Sequence, residues 1–312
     1  MLQTVGSSWE WFVFGALVVG MMALDLAVFN RHAHKVTMRE AAAWSAVWIG
    51  LALAFNAGIL FLHGKTSATE FLAAFLVEKS LSVDNLFVFL AIFKFFRVEK
   101  RHQHRVLFWG VVGALVMRAL LIGAGTLLLS AFDWMLYVFG AFLIYTGLKL
   151  GVARDHHGDP TKSVAMRLAT RYLRTTHEMH GERFFIVREG KRLATPLFLV
   201  LVIIEFTDVL FAFDSVPAVL AISRDMFIVY TSNIFAILGL RALYFVLAGV
   251  LDRFRFLDLG LAAILVFIGL KMAGEHWVHV PTEWSLAVIA AVLTISIAAS
   301  WIIPERKKTG AP

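Results

Sequence analysis

Six carboxylates lie inside long apolar runs of this 312-residue sequence: Asp25, Glu78, Asp84, Glu205, Asp208 and Asp214. A charged side chain near the centre of a bilayer costs about 2.5–3.5 kcal/mol even on the mildest insertion scale, so each needs a partner or a task. The basic residues at comparable depth are Lys79, Arg118 and Arg241. Three bases cannot pair six acids one to one, so internal salt bridges do not account for the set. The surplus of negative charge calls for bound cations or protons.

The ligand chemistry points to a hard cation. The remaining candidate ligands at this depth are also oxygen donors: Asn85, Ser215, Ser82, Thr207, Asn56 and Asn233. There is no cysteine, and all eleven histidines fall in loops or at the ends of apolar runs. A dedicated zinc or copper site is therefore poorly supported, whereas oxygen-only coordination suits Mg²⁺, Ca²⁺ or Mn²⁺. Arg118 and Arg241 read first as counter-ions that fix helix packing, with a gating role as the alternative for them and for Lys79. Lys149 and Lys271, near run ends, are expected to snorkel to the interface. The pairs His32/His34, His102/His104, His156/His157 and His276/His279 read as solvated loop residues.

The elements that position these groups follow from composition. Hydrophobic residues make up 60% of the chain and charged residues 16%, well below the charged share of about 25% in soluble domains. This excludes a large cytosolic enzyme and predicts an all-α polytopic membrane bundle with no catalytic site. At about 20 apolar residues per crossing, nine spans are expected: 9 to 29, 41 to 62, 70 to 94, 105 to 129, 133 to 151, 195 to 222, 227 to 250, 257 to 274 and 284 to 303. Twenty-two Lys and Arg fall on one side of that plan, and only Lys65 and Arg224 on the other. The asymmetry predicts an external N-terminus and a cytoplasmic C-terminus, with the net charge of +7 reflecting topology rather than nucleic-acid binding. Residues 152–192 read as a cytoplasmic connector: a helix carrying Val164, Leu168, Tyr172 and Leu173, then a hairpin turning at Glu189 and Gly190. Its arginines suit anionic lipid.

The chain also repeats itself. Glu78, Asp84, Asn85 and Leu90-Ala91-Ile92 are matched 130 residues later by Asp208, Asp214, Ser215 and Leu220-Ala221-Ile222. Arg118-Ala119-Leu120 answers Arg241-Ala242-Leu243, and Gly147-Leu148-Lys149 answers Gly269-Leu270-Lys271. Units 70–151 and 193–274 each hold three spans, so the second enters from the opposite face. Such inverted repeats belong to alternating-access transporters, and 284–303 adds a final helix. Along straight helices Glu205 and Asp208 share a face, whereas Glu78 and Asp84, like Asp208 and Asp214, lie about 120° apart. Pro217 predicts a kink or an unwound turn beside the carboxylates of the sixth span.

The sequences EKSLSVDN at 78–85, EFTDVLFAFDSVPA at 205–218 and EGKRLATPLF at 189–198 resemble those of the TerC family of integral membrane proteins, in particular its Alx-type members. The resemblance implies Mn²⁺ export from the bacterial cytoplasm across the inner membrane. It also implies that Glu78, Asp84, Glu205, Asp208, Asp214 and, at a boundary, Asp25 handle the ion. Proton exchange is the simplest coupling, since carboxylates crowded in low dielectric hold protons that a metal can displace. The alternative is a membrane factor that assists metalation or assembly of exported proteins through the 152–192 segment.

Overall fold

The structure is a computed structural model that describes residues 4–29, 37–132, 134–152, 181, 183–188, 191–248, 256–274, 276–277 and 280–302. Its helices are α1 (Ser8–Phe29), α2 (Met38–Phe95), α3 (Lys100–Ala131), α4 (Met135–Val152), α5 (Pro196–Leu220), α6 (Met226–Leu238), α7 (Leu240–Leu247), α8 (Leu257–Gly274) and α9 (Thr282–Ile302). Strands β1 (Phe185–Arg188) and β2 (Lys191–Ala194) pair antiparallel, with Arg188 opposite Lys191, and the turn expected at Glu189 and Gly190 lies outside the described residues. The helix expected at 164–173 lies outside the described residues.

Among the described residues, five helices are long and apolar enough to cross a membrane, and six when α6 and α7 count as one bent span. The apolar parts of α1 (Ser8–Leu24) and α8 (Leu259–Gly274) are shorter. The chain is thus an all-α polytopic membrane protein, and five to six helices meet that length test where nine spans are expected. The runs 41–62 and 70–94 fall within α2, which is interrupted at Gly64, whose φ of 85° only glycine adopts without strain. Phe55 and Phe71 meet across this break with ring centroids 5.6 Å apart. On a straight helix 16 residues would separate them by about 24 Å, so the halves of α2 fold back on each other.

Pro217 does not break its helix. α5 runs through it to Leu220, and the Pro217 carbonyl accepts the Ala221 N–H at 3.0 Å. The proline has no N–H to offer the Phe213 carbonyl one turn upstream, yet the helix passes through it without an unwound turn. The broken span is instead the next one: α6 and α7 meet at Gly239 with a bend of 43°.

Helix pairing crosses between the two halves of the chain. α3 packs on α5, α2 packs on α6 and α7 with Phe55 and Phe71 from its two halves both against Phe235, and α4 packs on α8 along most of their lengths. Glycines make the last seam possible. A Cβ on Gly140 would lie 2.9 Å from the Gly269 carbonyl oxygen, and one on Gly147 would lie 2.8 Å from that of Ala262. Because the contact runs up α4 and down α8, the two helices are antiparallel. Small residues at such a seam allow the close backbone approach that drives helix association in lipid.

The connections gather at two ends. At one, Glu10 meets His63 at 2.7 Å, Lys65 meets Glu283 at 2.8 Å, Ser223 donates to Glu70 at 2.5 Å, and Tyr137 and Trp277 adjoin. At the other, Arg105 stacks over Phe184 at 5.0 Å, Tyr244 donates to Gln103 at 2.9 Å, and the Phe256 N–H donates to Ser300 at 3.0 Å. The β-hairpin is fixed at this second end by Thr195. Its hydroxyl caps α5 by accepting from the Phe198 N–H and donates to the Arg183 carbonyl at 2.7 Å.

Candidate functional site

The deepest polar cluster is built from four helices. α2 contributes Glu78, α3 Arg118, α5 Asp208 and Ser215, and α6 Asn233; all five are buried, with Glu78 and Asn233 at 0% exposure and Arg118 at 1%. Asp208 and Ser215 are seven residues apart and so share a face of α5. Arg118 is the largest fully buried side chain. Helix spacing therefore explains why one guanidinium reaches both residues of α5 and Glu78 across the interface.

Arg118 Nη1 donates to Glu78 Oε1, and Nη2 donates to Asp208 Oδ1 at 3.3 Å. Nε donates to Asp208 Oδ2 at 3.5 Å, so the planar fork spans the carboxylate. Nη1 also lies 3.3 Å from Ser215 Oγ and 3.5 Å from Asn233 Oδ1. Asn233 closes the ring by donating from Nδ2 to Glu78 Oε2 at 2.9 Å, and Ser82 donates to Glu78 Oε1 at 3.5 Å. With both acids ionised, this trio carries one uncompensated negative charge in a water-poor interior. A charge so placed is held at high cost unless a cation or a proton joins it.

The other expected site residues are distributed around this cluster. Glu205 presses its carboxylate against α3 at Gly113, where an added Cβ would overlap both of its oxygens. It therefore faces the same helix as Asp208, as their three-residue spacing predicts. Asp214 faces α4 instead, accepting from Thr146 Oγ1 at 3.1 Å. Asn85 is buried in α2, seven residues after Glu78. Asp84 and Asp25 are helical, in α2 and α1, with side chains outside the described set. Among the described residues, no three His, Asp or Glu side chains converge as a metal would need. In this conformation Arg118 takes the place between Glu78 and Asp208.

Lys79 serves the backbone. Its Nζ donates to the Ala236 carbonyl at 3.1 Å, where the break at Gly239 interrupts the helix. Cations are favoured at such C-terminal ends, because carbonyls there lack intrahelical partners. A Cβ on Gly239 would sit 2.8 Å from Nζ and 3.1 Å from Trp48 Cβ, so glycine leaves room for the ammonium. Arg241 is buried at 3% exposure in α7, and Lys271, in the last turn of α8, is covered by protein to 8% exposure. Thr207 donates back to the Ile203 carbonyl at 2.7 Å, directing its hydroxyl along its own helix.

Sequence reasoning missed Gly113, Thr146 and the Gly239 break. A glycine inside an apolar span was the available signal for the first and third, but it marks close approach without naming what approaches.

The chain matches the family described as "Integral membrane protein TerC family" over residues 63–308. It is 50% identical over 299 residues to the uncharacterized membrane protein STKORF319 of Myxococcus xanthus, covering 96% of this chain and 94% of that one. It is 45% identical over 317 residues to the Salmonella typhi protein named "Putative membrane-bound redox modulator Alx", covering 98% of each. An uncharacterized membrane protein of Rickettsia bellii is 39% identical over 293 residues, 94% of this chain and 97% of that one. No solved structure matches the chain. The match to the family spans most of the sequence and includes all four helices of the polar cluster, and the chain belongs to the TerC family of integral membrane proteins.

Proposed function

We propose that this chain is a secondary transporter that exports divalent cations, Mn²⁺ foremost, from the bacterial cytoplasm. The observation that carries the reading is the buried Glu78–Arg118–Asp208 cluster, whose two acids occupy matching positions of the two sequence repeats. An enzyme is not proposed, since no substrate-specific motif accompanies the carboxylates.

In this reading the chain crosses the inner membrane nine times, the halves of α2 count separately, and 70–151 and 193–274 are inverted units. Pairing across the units supports the inversion. The first span of each packs on the second of the other, and the third spans pack on each other antiparallel. Under the repeat alignment Gly147 corresponds to Gly269, and Gly140 to Ala262. Exchanging the units therefore maps the contacts Gly140–Gly269 and Gly147–Ala262 onto each other, the pattern of a two-fold axis in the membrane plane. The end carrying Glu10, Lys65 and Glu283 faces outward, as charge asymmetry requires, and the β-hairpin end faces the cytoplasm. Protons exchange for the metal at Glu205, Asp208 and Asp214. The 152–192 connector rests on anionic lipid.

Relatives named as redox modulators raise a second readout. This chain has no cysteine, so any redox effect would run without thiols of its own. Purified protein in liposomes tests the proposal: Mn²⁺ entry should exceed that of Mg²⁺ and Ca²⁺ and should respond to a pH gradient. Folded protein that moves no divalent cation would overturn it and favour a metalation or assembly factor that needs a partner.

A further inference from the structure

The guanidinium of Arg118 sits inside a shell of five oxygen atoms: Glu78 Oε1, both Asp208 oxygens, Ser215 Oγ and Asn233 Oδ1. These oxygens come from α2, α5 and α6, while the guanidinium enters from α3. A hard divalent cation takes about six oxygens, so the shell around Arg118 nearly makes up a complete coordination set by number and type. Two carboxylates, a hydroxyl and an amide oxygen also make an all-oxygen donor set of the kind Mn²⁺ or Mg²⁺ takes.

We propose that this shell is the cation site itself and that Arg118 is its tethered occupant when no metal is bound, so that metal and guanidinium compete for the same oxygens. The inference rests on the divalent-cation reading above and specifies how its site works. Metal entry displaces the guanidinium from Glu78 and Asp208, and the returning guanidinium expels the metal. Charge balance favours the exchange, because one divalent cation neutralises the two carboxylates completely, whereas one guanidinium offsets only half of their charge. Arg118 is then a release residue rather than a packing counter-ion.

The test is Mn²⁺ titration by calorimetry on full-length protein in lipid nanodiscs, without ion gradients. Arg118→Lys keeps the charge but loses the planar fork, and Mn²⁺ should bind more tightly than to wild type; Arg118→Gln should bind tighter still, by about tenfold or more over wild type. Adding Asp208→Asn to Arg118→Lys should abolish the gain, which places the metal in the shell. Folded Arg118→Lys with wild-type affinity overturns the proposal, because a gain confined to Arg118→Gln reflects removed charge alone. A gain that survives Asp208→Asn overturns it as well. If Arg118→Gln does not fold, the lysine variant decides by itself. Liposome flux separates this from the transport reading. Tighter binding by Arg118→Lys with no wild-type flux retains the site and removes transport, whereas wild-type flux with unchanged affinity does the reverse.

Discussion

Adding one methyl group at Gly269 should loosen the seam between α4 and α8. A Cβ there would lie 2.7 Å from the Gly140 carbonyl oxygen, 2.8 Å from Ile144 Cγ1 and 2.9 Å from the Ile144 nitrogen. Two of these three atoms are backbone, so the strain cannot be relieved by a rotamer change. Reaching an ordinary contact of 3.4 Å requires the helices to part by about 0.7 Å locally. A gap of that size forfeits roughly a quarter to a half of each dispersion contact it opens, and overpacking of this kind costs about 1–3 kcal/mol. Against this stands the gain of about 1 kcal/mol from replacing glycine by alanine in a helix. The expected net effect of Gly269→Ala is a loss of about 0–2 kcal/mol. Gly269→Val, with a bulkier side chain and a smaller propensity gain, should lose more. Gly123→Ala is the control, because nothing lies within 4 Å of its added Cβ and only the propensity gain operates. Gly140→Ala combined with Gly269→Ala should cost less than the sum of the singles, since one separation of the helices relieves both clashes. Thermal unfolding in detergent, followed by tryptophan fluorescence, reads all of these. Melting of Gly269→Ala at or above the temperature of Gly123→Ala would refute the close seam.

Three further outcomes are expected. Asp84→Asn and Asp214→Asn should each abolish Mn²⁺ movement in liposomes while leaving insertion intact, because the amide keeps size and loses the charge that offsets cation dehydration; wild-type flux in both would remove them from the pathway. Gly239→Ala should displace the Lys79 ammonium from the Ala236 carbonyl and lower thermal stability, whereas Gly239→Ala with Lys79→Met should recover part of the loss; an equal loss in both would show that the ammonium is not what the glycine accommodates. A reporter fused after Arg174 should be cytoplasmic and one after His279 external, from the charge asymmetry of those segments; the same side for both would refute the nine-span plan.

The positions of the helices were written into the sequence. Expected runs such as 133–151 and 257–274 became α4 (Met135–Val152) and α8 (Leu257–Gly274), because an apolar run in lipid must satisfy its backbone internally and helix is the available solution. The antiparallel pairing of 185–188 with 191–194 was equally legible from local chemistry. The presence of buried acids was legible too, since a carboxylate in an apolar run is conspicuous whatever surrounds it. Their partners were not. Arg118 meets Glu78, 40 positions away, and Asp208, 90 positions away, and nothing local to any of the three encodes which bundle face it shares. Pro217 shows the same limit: its helix continues through it without an unwound turn, while a break occurs at Gly239, where a lysine from α2 caps the exposed carbonyl. Side-chain type and spacing fix which groups must leave water, and helix register fixes the face they occupy. Which faces meet is decided by close packing over the whole bundle, where glycines at Gly113, Gly140, Gly147 and Gly269 let backbones and carboxylates approach to distances that no single segment specifies.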